Sequence, residues 1–221
     1  MTFTLIFFVT AFSFQALGQI VSVHVGYNNY RDDTSFNAKL IREGNTPIGA
    51  GWTVGGEGNI KKLPISSVPI ELNIPIGAEY LSARTETNHS GTLVRWSLPV
   101  VGLYVAPTLK IRESLYAKVG VGYYRIPESL SSLVVSDRRG KLSASGNSVG
   151  FRASLGYLFG STDAPVRPFV EAGYRVLTFD TIQLTPKDGF VISPGLGPVQ
   201  PTSLPESISY SGILVEFGLA F

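Results

Sequence analysis

The stretch Gly212-Ile213-Leu214-Val215-Glu216-Phe217-Gly218-Leu219-Ala220-Phe221 (GILVEFGLAF) places apolar side chains at 213, 215, 217, 219 and 221. Gly212, Glu216, Gly218 and Ala220 fall on the other parity. That is period two, which defines a strand with two unlike faces. The pattern runs to the last residue with no polar tail, whereas the ends of water-soluble domains are usually polar and frayed. Which face meets water decides the fold.

Seven further segments carry the same alternation. Val21, Val23, Val25 and Tyr27 oppose Ser22, His24, Gly26 and Asn28; Ile48, Ala50, Trp52 and Val54 oppose Gly49, Gly51, Thr53 and Gly55. The even positions from Ile70 to Tyr80 oppose Glu71, Asn73, Pro75, Gly77 and Glu79. Val94, Trp96, Leu98, Val100 and Tyr104 read as a fourth apolar face, opposed by Arg95, Ser97 and Pro99. Leu115–Tyr123, Val149–Phe159 and Val170–Val176 complete the set, with Lys118, Arg152, Glu171 and Arg175 on their polar parities. Glycines and prolines blur the bounds of the second and third segments. The first, fifth and seventh connections are long and the sixth is short, as expected where long loops and short turns alternate at the two ends of an up-and-down barrel. The short Arg84–Gly91 loop does not discriminate.

Composition agrees. The 221 residues suit one domain or a single barrel; glycine numbers 24, tyrosine 10 and phenylalanine 13, which favours strands and turns over helices. A net charge of +2 with 15% charged residues makes nucleic acid a poor first guess as partner. The absence of cysteine excludes disulfides, thiolate metal sites and a lipid anchor on cysteine. Phe3–Phe14 is almost wholly apolar and gives way to Ala16-Leu17-Gly18, so residues 1–18 read as a signal peptide and 19–221 as the barrel domain. No Lys or Arg precedes the apolar run, a departure from the usual signal.

Three features assign the faces. The polar parity is rich in glycine and serine, as the narrow interior of an eight-stranded barrel requires. Its charges come in both signs: Arg95, Lys118, Arg152 and Arg175 against Glu71, Glu79, Glu171 and Glu216. Enclosed charges must be paired or hydrated. Aromatics gather at the ends of the apolar faces: Tyr27, Tyr80, Trp96 and Tyr123 at one rim, Tyr104, Tyr157, Phe159, Phe217 and Phe221 at the other. Two such girdles suit the two interfaces of a membrane. Trp52 falls mid-strand on this reading. The expected fold is all-β, an eight-stranded antiparallel up-and-down transmembrane β-barrel. A water-soluble, lipocalin-like barrel would exchange the two faces.

GILVEFGLAF resembles the C-terminal strand of outer-membrane β-barrel proteins of diderm bacteria, which commonly finish on Phe. YAKVGVGYY (116–124) and SVGFRASLGYLF (148–159) look like the strands of the small outer-membrane β-barrel domain family that includes OmpA- and OmpX-like proteins. The resemblance is one of pattern over all of residues 19–221. It implies location in a bacterial outer membrane, contact with membrane lipid and lipopolysaccharide, and Phe221 as a signal read by the barrel-assembly machinery.

Little in the sequence points to chemistry. Some small outer-membrane barrels are lipid A deacylases with a lipid-facing His-x-Ser; here the order is Ser22-x-His24 and both residues point inward, so His24 reads as a satisfied interior histidine. His89 lies at a loop tip (Asn88-His89-Ser90). Two separated histidines and no cysteine give no ligand cluster at useful spacing, so neither metal nor cofactor is expected. GAGWTVGGEG (49–58) reads as close packing and not as a phosphate loop, because no helix pattern follows it. Asp137-Arg138-Arg139-Gly140-Lys141 forms a basic loop cluster suited to lipopolysaccharide phosphates. Ile182, Phe190, Val191 and Ile192 read as exposed in the long 180–207 loop. The expectation is a structural or adhesive barrel acting through its surface loops, without enzymatic activity. The alternatives are a narrow solute channel past Arg152, Glu171, Arg175 and Glu216, and a lipid-modifying hydrolase using Ser22 and His24.

Overall fold

The computed structural model describes residues 21–30, 35–42, 46–65, 70–89, 92–135, 138–187 and 207–221. The signal-peptide reading, Asp137 and the stretch Phe190–Ile192 lie outside the described residues. The elements in chain order are β1 (Val21–Tyr30), α1 (Ser35–Arg42), β2 (Ala50–Ile65), β3 (Ile70–Leu81), β4 (Arg84–His89), β5 (Thr92–Ser97), β6 (Val100–Val105), β7 (Thr108–Lys110), β8 (Leu115–Ile126), β9 (Ser132–Val135), β10 (Arg138–Leu158), β11 (Arg167–Phe179), β12 (Gln183–Lys187), β13 (Ile208–Ser209) and β14 (Gly212–Ala220).

Eight staves close into a ring. β1 pairs with β2, β2 with β3, β3 with β6 and its continuation β7, these with β8, then β8 with β10, β10 with β11, and β11 with β14. β14 returns to β1, from Ser22 opposite Ala220 to Tyr30 opposite Gly212. Every pairing is antiparallel, so the barrel is of the up-and-down kind and has no free edge in its wall. The strands alternate as the period-two patterns require. In β8, odd positions from Leu115 to Tyr123 face outward, apart from a half-buried Ala117, and even positions from Tyr116 to Ile126 face inward. The outward set is apolar: Val119 is 64% exposed, Leu103 66% and Phe151 57%. The inward set holds the charges. Apolar outside and polar inside reverses the faces of a water-soluble barrel and defines a transmembrane β-barrel. No helix among the described residues is long and apolar enough to cross a membrane.

The two ends differ. At one, β7–β8 and β10–β11 are joined by short turns; at the other, strands outgrow the wall. A five-stranded extension, β4–β5–β9–β10–β12, stands on this rim. β10 belongs to both parts, with 21 residues against the roughly 9–11 a transmembrane strand needs. Beneath the extension an apolar plug fills the barrel mouth. Its members include Tyr30, Leu81, Trp96, Leu98, Phe179 and Tyr210, all buried. The Tyr210 ring meets Tyr30 and Phe179 edge-on, and its hydroxyl donates to the Leu98 carbonyl at 2.8 Å. Burial pushes that hydroxyl well above the ordinary tyrosine pKa, so it stays a donor.

This plug corrects the fourth segment. Val94–Tyr104 is not one strand: β5 lies in the extension and β6 in the wall. Leu98 and Val100 point inward into the plug and Tyr104 into the lumen, while Val101 and Leu103 face outward. The inward face is apolar at this end, which inverts the parity rule used to read it. The Arg84–Gly91 loop contains β4, and α1 was not anticipated. Ile182, expected to be exposed, is buried in the plug. Arg138–Lys141 begins β10 and is not a loop. Trp52 lies near the start of β2 opposite Tyr27, with Tyr80 5.5 Å away between ring centroids. It therefore belongs to the rim girdle and not to mid-strand.

The two tryptophans now have opposite surroundings: Trp52 is exposed on the outer wall, and Trp96 is buried in the plug. In brominated-lipid vesicles, Trp52 emission in a Trp96→Phe variant is expected to be strongly quenched. Trp96 emission in a Trp52→Phe variant is expected to be nearly unaffected. Equal quenching of both would remove the plug from the structure.

Candidate functional site

The barrel interior is the chemically distinctive part of the chain. Six of the eight charges expected there converge. The Arg152 guanidinium sits between Glu171 and Glu216, with its Nη2 2.6 Å from an oxygen of each. Lys118 Nζ reaches Glu171 at 2.8 Å and Glu57 at 3.0 Å. Arg175 donates to Glu79 at 2.5 Å and to the Asn28 side-chain oxygen at 3.0 Å. The two remaining charges behave otherwise. Arg95 pairs with Glu86 on the exposed β4–β5 hairpin at 2.6 Å, because β5 is not a wall strand. The Glu71 side chain lies outside the described residues.

Tyrosines complete the network. Tyr104, Tyr116 and Tyr124 donate to Glu57, Glu171 and Glu79 at 2.8, 3.1 and 2.6 Å. Ser154 donates to Glu171 at 2.6 Å. Glycines make this possible. The Tyr104 ring lies against Gly77 and the Tyr116 ring against Gly156, so closely that an added Cβ at either position would collide with the ring. Small residues in the polar parity thus provide beds for aromatic rings that reach across the lumen. Arg152 lies over the Tyr104 ring, 5.2 Å from its centroid.

Sequence reasoning missed Glu57, Asn28, Tyr104, Tyr116 and Tyr124 as members of the network. Glu57 was legible in parity, two places beyond Gly55, but the glycine run obscured how far β2 extends. Tyr104 was read as an interface aromatic and Trp96 likewise; the first is in the lumen and the second in the plug. Of the other aromatics, Tyr27, Tyr123, Tyr157, Phe159, Phe217 and Phe221 are exposed on the outer wall or its rim, and Tyr80 is half-buried beside Trp52. Tyr157 and Phe159 pack edge-to-face with centroids 5.0 Å apart.

At the turn end the lumen opens into a vestibule of about 300 Å³, lined by Ser22, Glu57, Asn73, Lys118, Arg167 and Phe221 among others. Lys118 and Glu57, both members of the charge network, are part of that lining. His24 is buried two residues deeper than Ser22 on the same face of β1. No hydrogen bond joins His24 to Ser22 among the described contacts; its charged neighbour is Glu216, 3.8 Å away. His24, Glu79 and Glu216 come from three different strands, yet each offers one ligand-type atom within 4.8 Å of the others. Linear spacing gave no sign of that cluster.

Ring closure, the outward apolar belt and the ion-paired interior together define the class: an eight-stranded transmembrane β-barrel, plugged at one end. No family model matches the sequence, and no curated protein matches it. Among solved structures, the chain is similar to Ail, the attachment invasion locus protein of Yersinia pestis, in complex with the heparin analogue sucrose octasulfate. The likeness has a TM-score of 0.42 and 12% identity, over 92% of this chain and 99% of that one.

Proposed function

We propose that this chain is a structural or adhesive protein of a bacterial outer membrane, exported by residues 1–18, in which a rigid barrel holds a β-sheet platform at the cell surface. The observation that carries the reading is β10. It passes without a break from the barrel wall into the extension, and its 21 residues span about 70 Å at the usual strand rise. The apolar band of such barrels is only about 25 Å tall. One stiff strand therefore carries the platform clear of the lipid. The platform faces outward if the short turns lie in the periplasm, the arrangement common to this class. Arg138, Arg139 and Lys141 open β10 beside the β9–β10 turn, at the end of the platform furthest from the wall, and their charge suits lipopolysaccharide phosphates. Phe221 follows directly on the closing strand β14 and is exposed at the rim, and it is the residue the assembly machinery would read.

The plug and the charge network argue against a conducting pore, and His24 facing Glu216 in place of Ser22 argues against a hydrolase. The test has two parts. Outer membranes from cells expressing the full chain should contain a band that migrates faster unboiled than boiled, and protease added to whole cells should cut only in the platform loops. In planar bilayers the purified protein should show no steady conductance. A soluble periplasmic product, or discrete channel steps, would overturn the reading.

A further inference from the structure

Three wall strands aim ligand-type atoms at one point in the lumen. His24 on β1, Glu79 on β3 and Glu216 on β14 are 3%, 4% and 1% exposed. Nε2 of His24 and Oε1 of Glu216 face each other at 3.8 Å, and neither has a hydrogen-bond partner. Buried polar atoms are almost always satisfied, so such a facing pair calls for an occupant. The wall leaves room for these groups: a methyl at Gly55 would collide with His24 Nε2, and one at Gly26 would lie 2.6 Å from Glu216 Cγ.

Charge indicates what the occupant is. Among the described side chains the network holds four carboxylates (Glu57, Glu79, Glu171, Glu216) and three cations (Lys118, Arg152, Arg175), leaving one negative charge over. The geometry points to a cation site formed by His24 Nε2, Glu216 Oε1 and a Glu79 carboxylate oxygen, taking a borderline divalent transition ion such as Zn²⁺. One imidazole with two carboxylates is a donor set that suits Zn²⁺ and is foreign to Mg²⁺ or Ca²⁺. Three protein donors leave a fourth position for water. Tetrahedral bonds of about 2.0–2.2 Å hold donors about 3.3–3.6 Å apart, so atoms now within 4.8 Å of one another must close by up to roughly an ångström. Arg152 and Arg175 keep their holds on Glu216 and Glu79 and weaken the ion's attraction to both. Entry is from the vestibule, whose lining includes Ser22 and Glu57.

The experiment is to refold the full chain in detergent with Zn²⁺ or Co²⁺, desalt it, and measure retained metal together with the Co²⁺ visible spectrum. The expected result is one equivalent retained by the wild type and by His89→Ala. Retention should fall at least tenfold in His24→Ala, and also in Gly55→Ala, which crowds the imidazole but removes no ligand. Each variant is scored only on its heat-modifiable, folded fraction. If His24→Ala fails to fold, Gly55→Ala and the wild-type Co²⁺ spectrum decide. No retained metal, or equal retention in His24→Ala, would overturn the inference and leave a proton or a water in the gap.

Discussion

Arg152→Met is expected to destabilise the barrel by about 3–5 kcal/mol, the usual cost of stranding buried charge by removing one partner. Nη2 of Arg152 serves both Glu171 and Glu216, and all three side chains are essentially shielded from solvent. Glu171 would keep Lys118, but Glu216 would be left, among the described side chains, with His24 as its remaining ion-pair neighbour. Urea unfolding in phospholipid vesicles, read as the fraction of fast-migrating barrel on gels, gives the number. Arg152→Lys should recover part of the loss, since it restores the charge without the guanidinium's reach. The double variant Arg152→Met/Glu216→Gln should be more stable than the sum of the single effects predicts, because it removes the stranded charge along with its partner. An Arg152→Met barrel as stable as the wild type would mean that the lumen is wet enough to hydrate its charges.

Val119→Arg tests the other face. Val119 is the middle residue of the outward run of β8, between Leu115 and Tyr123, and is among the most exposed side chains of the wall. An arginine at the lipid midplane of such a barrel costs about 2–4 kcal/mol, falling toward zero near the interfaces. In the same vesicle assay Val119→Arg should lose stability in that range, whereas Tyr123→Arg, at the rim, should lose far less. Were the barrel water-soluble with these faces exposed, both substitutions would be harmless and would raise solubility.

The wall was legible because its signal is simple. In β8, β10, β11 and β14 one parity meets lipid and the other meets a polar lumen, so once the small residues, paired charges and aromatic rims assign the faces, alternation puts Lys118, Arg152, Glu171, Arg175 and Glu216 in the interior. The reading failed where a third environment intervenes. The inward side of β6 and the turn at Leu98 feed an apolar plug, so Leu98 and Val100 looked lipid-facing and took Tyr104 and Trp96 with them. Arg95 was misplaced for the same reason, since β5 was joined to the wall. The His24–Glu79–Glu216 cluster was invisible because ring closure, not sequence spacing, brings β1 beside β14.

The division of charge along the chain has a consequence for what can exist in isolation. Among the described side chains, residues before β8 bring Glu57 and Glu79 to the network, two anions with no cation of their own there. The residues from β8 onward bring Lys118, Arg152 and Arg175 against only Glu171 and Glu216. Each half is thus an unfinished electrolyte whose counter-charge is stored in the other. Two fragments split in the β7–β8 turn would have reason to seek each other and none to persist apart.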